Sequence, residues 1–349
     1  MDFPNSPIFY GEYCKLNKIK TFFLISVFIL FSVLSCLFLD VIIYAEKSAD
    51  NDHSEKIVEI LPGQSFSNIA IQLSNNGIIK YPFKFKLAGR IKGYEKKIKS
   101  GEYILSSSMT PMSILETIAS GKVKLYKITI PEGLNIKQIA LILARAKLCS
   151  DTDFLRSATD SCFAHDMGIN AETFEGYLFP ETYFFPKHIS TEKIIAAMVK
   201  RFRSIFKPQW QERATELNLS IHQAITLASI IEKETGSEFE RPVISSVFHN
   251  RLKKKMRLES DPTVIYSIKN FNGNITLKHL SELTPYNTYK IKGLPPGPIA
   301  NPGLKAIQAA LYPDDTEFLY FVSKKDSTHK FSTNIKDHNK AVKKYQLRR

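Results

Sequence analysis

An α+β fold is predicted for this chain: a single transmembrane helix at the amino end, a small unit mixing strand and helix, then a larger mixed α+β unit. Three observations predict it. The run "TFFLISVFILFSVLSCLFLDVIIYA", Thr21 to Ala45, is long and apolar enough to cross a bilayer. Strand-like runs around "IVEIL" and "KITIP" each lead through a Gly-containing turn into an amphipathic helix. Beyond Asp151, long helical patterns alternate with loops rich in Pro, Gly and aromatic residues. The 349 residues suffice for two or three compact units, and 44% hydrophobic with 23% charged residues excludes a mainly disordered chain.

The apolar run carries only Asp40 near its far end and a few hydroxyl residues. A cleaved signal peptide would have a shorter apolar core and small residues at a cleavage site, so an uncleaved anchor fits better. Lys15, Lys18 and Lys20 precede the span, and Glu46, Asp50, Asp52 and Glu55 follow it. That asymmetry keeps residues 1–20 cytoplasmic and puts everything beyond the span outside the membrane. A net charge of +14 would otherwise raise nucleic acid as a partner, but this topology argues against it. A membrane surface or an anionic extracytoplasmic polymer suits an exported basic chain better, and a merely soluble lysine-rich face remains equally open.

Cys14 and Cys36 fall on the cytoplasmic side and in the span, leaving Cys149 and Cys162 as the two that could meet in an oxidising compartment. Spacing alone decides neither pairing nor free thiols. No Cys or His spacing suggests a metal site, and no motif calls for a cofactor; GxSxG, GxxxxGK[ST] and HExxH are all absent.

After a polar linker, residues 46–55, Ile57 to Leu61 reads as a strand, Pro62 and Gly63 as a turn, and Ser65 as the N-cap of a helix facing inward with Phe66, Ile69, Ala70 and Leu73. A second amphipathic stretch, "FKFKLAGRIKG", precedes a strand, "GEYILS", and a helix opened by Thr110 and Pro111. Shifting the sequence by 70 residues pairs Gly63 with Gly133, Ser65 with Asn135, Ile69 with Ile139, Ala70 with Ala140 and Leu73 with Leu143. That match fits a duplication, and it equally fits two unrelated strand-turn-helix units. Ser190 and Ser220 read as N-caps of later helices, "EFLYFVSK" as a strand and "HNKAVKKYQ" as a closing helix.

Chemistry concentrates around "ASIIEKETGSEFERP". The helix opened by Ser220 turns Ile221, Ala224, Ile225, Leu227, Ala228 and Ile231 inward, and its phase sets Glu232 and Glu234 on opposite flanks of that face. Periodicity cannot choose between them. If the helix ends near Thr235 and Gly236, its dipole and low dielectric disfavour a carboxylate at Glu234 and raise its pKa, as a general acid requires. The plainer reading is two solvated glutamates pairing with Lys233 or Arg241. The segments "EGYLFPETYFFP", "RLESDPTVIY" and "YNTYKIKGLPPGPIANPG" combine aromatic faces with carboxylates and amides, which suits a sugar; singly, each also suits core packing and rigid turns.

Taken together in this order, "EGYLFPETY", "ASIIEKET", "RLESDPTVIY", "YNTYKIKGLPPGPIANPG", "FLYFVSK" and "HKFSTN" resemble the endolytic murein transglycosylase, or YceG-like, family, from the span to the end of the chain. The resemblance implies a lysin-motif-like α/β domain over residues 56–124 and a catalytic domain over residues 125–349. It implies a single-pass enzyme of the bacterial inner membrane with its catalytic domain in the periplasm. Such an enzyme cuts between MurNAc and GlcNAc within peptidoglycan glycan strands and leaves 1,6-anhydro-MurNAc ends, without a cofactor. It further implies membrane peptidoglycan synthases as partners, so that cutting terminates nascent strands. Carried over by position, the catalytic residue is Glu234, and Glu181, Asp261, Asn287 and Tyr289 are the candidates for holding substrate. Glu259 stands where the family commonly has an amide, which weakens any sugar contact there. The competing reading is a non-catalytic, membrane-anchored peptidoglycan-binding scaffold, motivated by the anchor, the basic charge and the lysin-motif-like unit.

Overall fold

Short caps and amphipathic faces organise two compact units, which divide between Lys124 and Leu125. The structure, a computed structural model, describes residues 8–235 and 237–347, with side chains from residue 20 onward. Gly236, the first seven residues, and the side chains of Cys14, Lys15 and Lys18 lie outside the described residues.

Unit 1 opens with α1 (Ile8–Ala45), whose stretch Lys20–Ala45 is long and apolar enough to cross a membrane. Strand β1 (Lys56–Ile60), helices α2 (Phe66–Asn75) and α3 (Pro82–Ile91), strand β2 (Gly101–Leu105) and helix α4 (Pro111–Ser120) follow. The Ser65 and Thr110 hydroxyls accept amide N–H bonds from Asn68 and Ser113, so both predicted N-caps form. The inward face of α2 is Phe66, Ile69, Ala70 and Leu73, as its 3.6-residue period requires. β1 and β2 pair antiparallel, Lys56 opposite Leu105, over a core that includes Phe85, Tyr103, Leu115 and, from the end of α1, Val41 and Ala45.

Unit 2 begins with β3 (Leu125–Thr129), α5 (Ile136–Arg145), α6 (Asp151–Ala158), α7 (Ser161–Asp166) and β4 (Thr182–Pro186), β3 pairing antiparallel with β4. The start of this unit repeats the local geometry of β1–α2. Gly63 and Gly133 both take positive φ, at 77° and 74°; Asn135 caps α5, and Ile139, Ala140 and Leu143 are buried. Helices α8 (Thr191–Ile205), α9 (Pro208–Glu216), α10 (Ile221–Glu234), α11 (Arg241–Lys253), α12 (Asp261–Ser267), α13 (Leu277–Ser281) and α14 (Leu304–Leu311) lead to the hairpin β5 (Tyr320–Ser323) and β6 (His329–Ser332), closed by α15 (Ile335–Val342). Ser190 and Ser220 cap α8 and α10.

Helix α10 runs through the middle of this unit. Ala224, Ile225, Leu227, Ala228, Ile230 and Ile231 are buried, and so are its small polar residues Thr226 and Ser229. A helix apolar nearly all round must be covered on every side, and α14 packs closely along it. Buried Ser229 accepts an N–H bond from Ile299 at 3.0 Å, tying the Pro-rich loop to the same helix.

Cys149 and Cys162 are free thiols, the first half-buried and the second exposed. The strand expected near the end is shorter, with Glu317 to Leu319 outside β5, whereas the expected closing helix forms throughout: α15 continues beyond Val342 as a π-helical turn over Lys343–Leu347.

Candidate active site

Glu234 is the last residue of α10; the chain turns extended at Thr235, with φ −144°. That ending lets its side chain leave the helix toward a cleft of about 1000 Å³, walled by Glu259, Asp261 and Tyr289 on one side and by the β5–β6 hairpin and α15 on the other. Burial pushes the Glu234 carboxyl up to about 7; the Asp261 charge adds to this, while a hydrogen bond from the Ser260 hydroxyl and the Arg251 charge oppose it.

Glu232, two residues earlier, goes elsewhere. Its carboxylate is only 6% exposed, pairs with Arg241 at 3.1 Å and accepts the Gly303 N–H at 2.9 Å. The expectation of a solvated residue there is therefore corrected, although the Arg241 pairing does form. Lys233 instead donates to the Gly133 carbonyl at 3.1 Å. Glu232 is spent on holding α10, α11 and the start of α14 together, and Glu234 alone of the two reaches the cleft.

The floor beneath Glu234 is a buried hydroxyl cluster that joins two motif segments. The Ser260 amide donates to Thr288 Oγ1 at 2.9 Å, the hydroxyls of Thr263 and Thr288 lie 2.8 Å apart, and Thr263 donates to the Ser260 carbonyl at 2.6 Å. This cluster sets Asp261 and Tyr289 side by side: the Tyr289 hydroxyl donates to Asp261 Oδ1 at 2.7 Å. Asn287 is buried below them. Its amide donates to the carbonyls of His279, Leu280 and Glu282, and its side-chain oxygen accepts the Tyr289 N–H at 3.0 Å. Asn287 thus shapes the loop that presents Tyr289 and does not itself line the cleft. Glu181 lies off the cleft as well, paired with Arg201 at 2.8 Å. Of the four candidates for holding substrate, the structure brings Asp261 and Tyr289 to Glu234 and leaves Glu181 and Asn287 away from the cleft wall.

Sequence reasoning passed over two cleft residues, Arg251 and His329, and the buried Ser260 beneath Glu234. Arg251 is 7% exposed and donates to the carbonyls of Leu319, Arg257 and Leu258 and to the Glu259 carboxylate, with its guanidinium 5.1 Å from the Tyr320 ring. It holds Glu259, whose φ of 54° is the left-handed conformation that favours glycine. Ser260 gives Glu234 its hydrogen bond. His329 lines the opposite wall, its Nδ1 2.7 Å from Glu240 Oε2 and its amide donating to Glu240 Oε1 at 2.9 Å. The only signals for Ser260 and His329 were their places in "RLESDP" and "HKFSTN"; Arg251 had none, being one of 48 Lys and Arg.

The aromatic-rich segment "EGYLFPETY" is core. Tyr177, Leu178, Phe179 and Tyr183 are buried, and Glu175 beneath them accepts hydrogen bonds from the Ile136 N–H, Asn301 Nδ2 and the Tyr266 hydroxyl. Burial pushes the Glu175 carboxyl up to about 8, against those three donors. Among the described residues no cluster of His, Cys, Asp and Glu could hold a metal ion.

An acid of raised pKa in the wall of an open cleft, facing an aromatic ring and a carboxylate, suits protonation of a bridging oxygen in an extended carbohydrate. The comparisons with known proteins run the same way. A family model described as the YceG-like family matches residues 58–344. An endolytic murein transglycosylase of Bacillus subtilis strain 168 is 36% identical over 304 residues, covering 82% of this chain and 84% of that protein. One from Streptococcus pneumoniae strain D39 is 29% identical over 325 residues, covering 82% of this chain and 57% of that protein. The crystal structure of a YceG-like protein from Listeria monocytogenes superposes with a TM-score of 0.58 at 35% identity, covering 83% of this chain and 99% of the other. With a family model spanning most of its length and relatives above 30% identity, the chain belongs to the YceG-like family.

Proposed function

We propose that this protein is a membrane-anchored endolytic transglycosylase, cutting peptidoglycan glycan strands between MurNAc and GlcNAc and leaving 1,6-anhydro-MurNAc ends. The observation that carries the proposal is Glu234: a carboxyl pushed up to about 7 at the wall of a long open cleft, in the family whose curated relatives are named for this activity. The protonated carboxyl donates to the glycosidic oxygen as the C1–O bond breaks. The resulting carboxylate then takes the proton of the muramyl C6 hydroxyl as that oxygen bonds to C1. The proton count closes on one side chain and no water is consumed.

Asp261 and Tyr289 face the same space and are assigned to holding the sugar in line, Tyr289 through its ring face and Asp261 through sugar hydroxyls. Glu181 and Asn287 act at a distance from the reacting bond, Asn287 by fixing the Tyr289 loop. The strand, two helices and strand of unit 1 support its reading as the lysin-motif-like part that holds glycan, and α1 supports an inner-membrane anchor with unit 2 in the periplasm. Membrane peptidoglycan synthases are the proposed partners, making the enzyme a terminator of nascent strands.

Digesting purified peptidoglycan and weighing the fragments tests this. Anhydromuramyl ends are expected, with Glu234→Gln lowering turnover by about 100- to 10,000-fold, the range general acid and base catalysis contributes. Reducing ends would instead assign a two-carboxylate hydrolase using Asp261. No turnover by the unaltered chain would favour the binding scaffold.

A further inference from the structure

The end of α1 is not a free tether. Val41 and Ala45 are buried in the core of unit 1, and Tyr44 meets Tyr81 edge to face, ring centroids 5.9 Å apart. Asp40, the one acid in the apolar stretch, pairs with Lys84 at 2.7 Å, and Lys84 Nζ also lies 5.1 Å from the Tyr81 ring. The first turn of α3 is therefore fixed beside Asp40.

The level of Asp40 in a bilayer follows from helix geometry. At about 1.5 Å per residue, Lys20 to Asp40 covers about 30 Å, which matches a hydrocarbon core of about 30 Å. Asp40 then sits at the outer boundary, where a charge paired with a lysine is tolerated. Whatever is fixed beside Asp40 sits at that boundary too. There, Phe83 is 72% exposed and Tyr81 54% exposed, next to Lys80 and Lys84. Exposed aromatic side chains beside cations at that level match the chemistry of a bilayer interface, which collects aromatic rings and attracts lysines to its phosphates.

We propose that Tyr81, Phe83 and Lys84 at the start of α3 form a membrane foot, which rests in the headgroup layer of the bilayer α1 crosses and clamps unit 1 to that surface. The occupant is the lipid interface, argued from continuity with the span and from charge. The proposal rests on α1 spanning the bilayer, and the test separates the two.

The full chain is reconstituted into phospholipid vesicles carrying bromine either near the headgroup or near the end of the acyl chain, with the emission of native Trp210 as background. Phe28→Trp reports the span and Phe83→Trp the foot; both side chains are exposed, so neither change disturbs a core. Phe28→Trp should lose emission mainly to deep bromines, and Phe83→Trp mainly to shallow ones. Loss at Phe28→Trp with none at Phe83→Trp would overturn the foot while leaving the anchor intact, and would reassign the patch to a protein partner. No loss at Phe28→Trp would overturn the span and the foot with it.

Discussion

Removing the Ser260 hydroxyl takes away a hydrogen bond that favours the ionised form of Glu234, so Ser260→Ala should raise the Glu234 pKa and move the alkaline limb of kcat/KM to higher pH. Asp261→Asn removes a negative charge that favours the protonated form, so the limb should move to lower pH. In the proposed mechanism Asp261→Asn still yields anhydro ends; its complete loss of turnover with reducing ends in the unaltered enzyme would make Asp261 a second catalytic carboxylate. Stability follows the same titration. The folded value of about 7 lies above the ordinary 4.5, so the contribution is fully present below 4.5 and is lost as pH rises through 7. Relative to Glu234→Gln, the unaltered protein should lose stability across that window, by about 3 kcal/mol. Denaturant titration at several pH values measures it. The raised Glu234 pKa was legible from the helix end and its low dielectric, but the partners that tune it were not. Helical phase left Glu232 and Glu234 equivalent, and what separates them is Arg241 and Gly303 on one flank and Ser260 on the other.

Elements were easier to read than contacts. Ser65, Thr110, Asn135, Ser190 and Ser220 cap the helices their patterns predict, because a cap is decided within three residues of itself. The motif segments were harder, since what they do depends on one another. Gly176 of "EGYLFPETY" shows why. At φ 86° an added Cβ would come within 2.5 Å of Pro298 in the Pro-rich loop and 2.8 Å of Ile225 on α10, so Gly176→Ala should destabilise unit 2 by about 3 kcal/mol or more. Thermal unfolding of the variant measures this. Glu175 joins the start of α5 to Tyr266 on α12 and to Asn301, a role no periodicity announces. Replacing it with Gln keeps the volume but offers an N–H where donors converge, so Glu175→Gln should cost about 1–3 kcal/mol in denaturant unfolding.

At the scale of the whole molecule, the α+β class and the apolar span followed from composition and period; of the motif-rich segments, "RLESDP" and "YNTY" reach the cleft and "EGYLFPETY" does not. The cleft's far wall did not follow, because β5, β6 and α15 reach it from about a hundred residues further along the chain. The net charge of +14 predicts that binding to isolated peptidoglycan weakens as salt is raised; sedimentation with sacculi at two ionic strengths checks it. The central claim is that one glutamate cuts the strand without water. Digestion in heavy-oxygen water, followed by mass spectrometry of the new muramyl ends, tests it most directly. The account predicts ends that carry no solvent oxygen and lack the mass of one water. A heavy oxygen at each new end would contradict it.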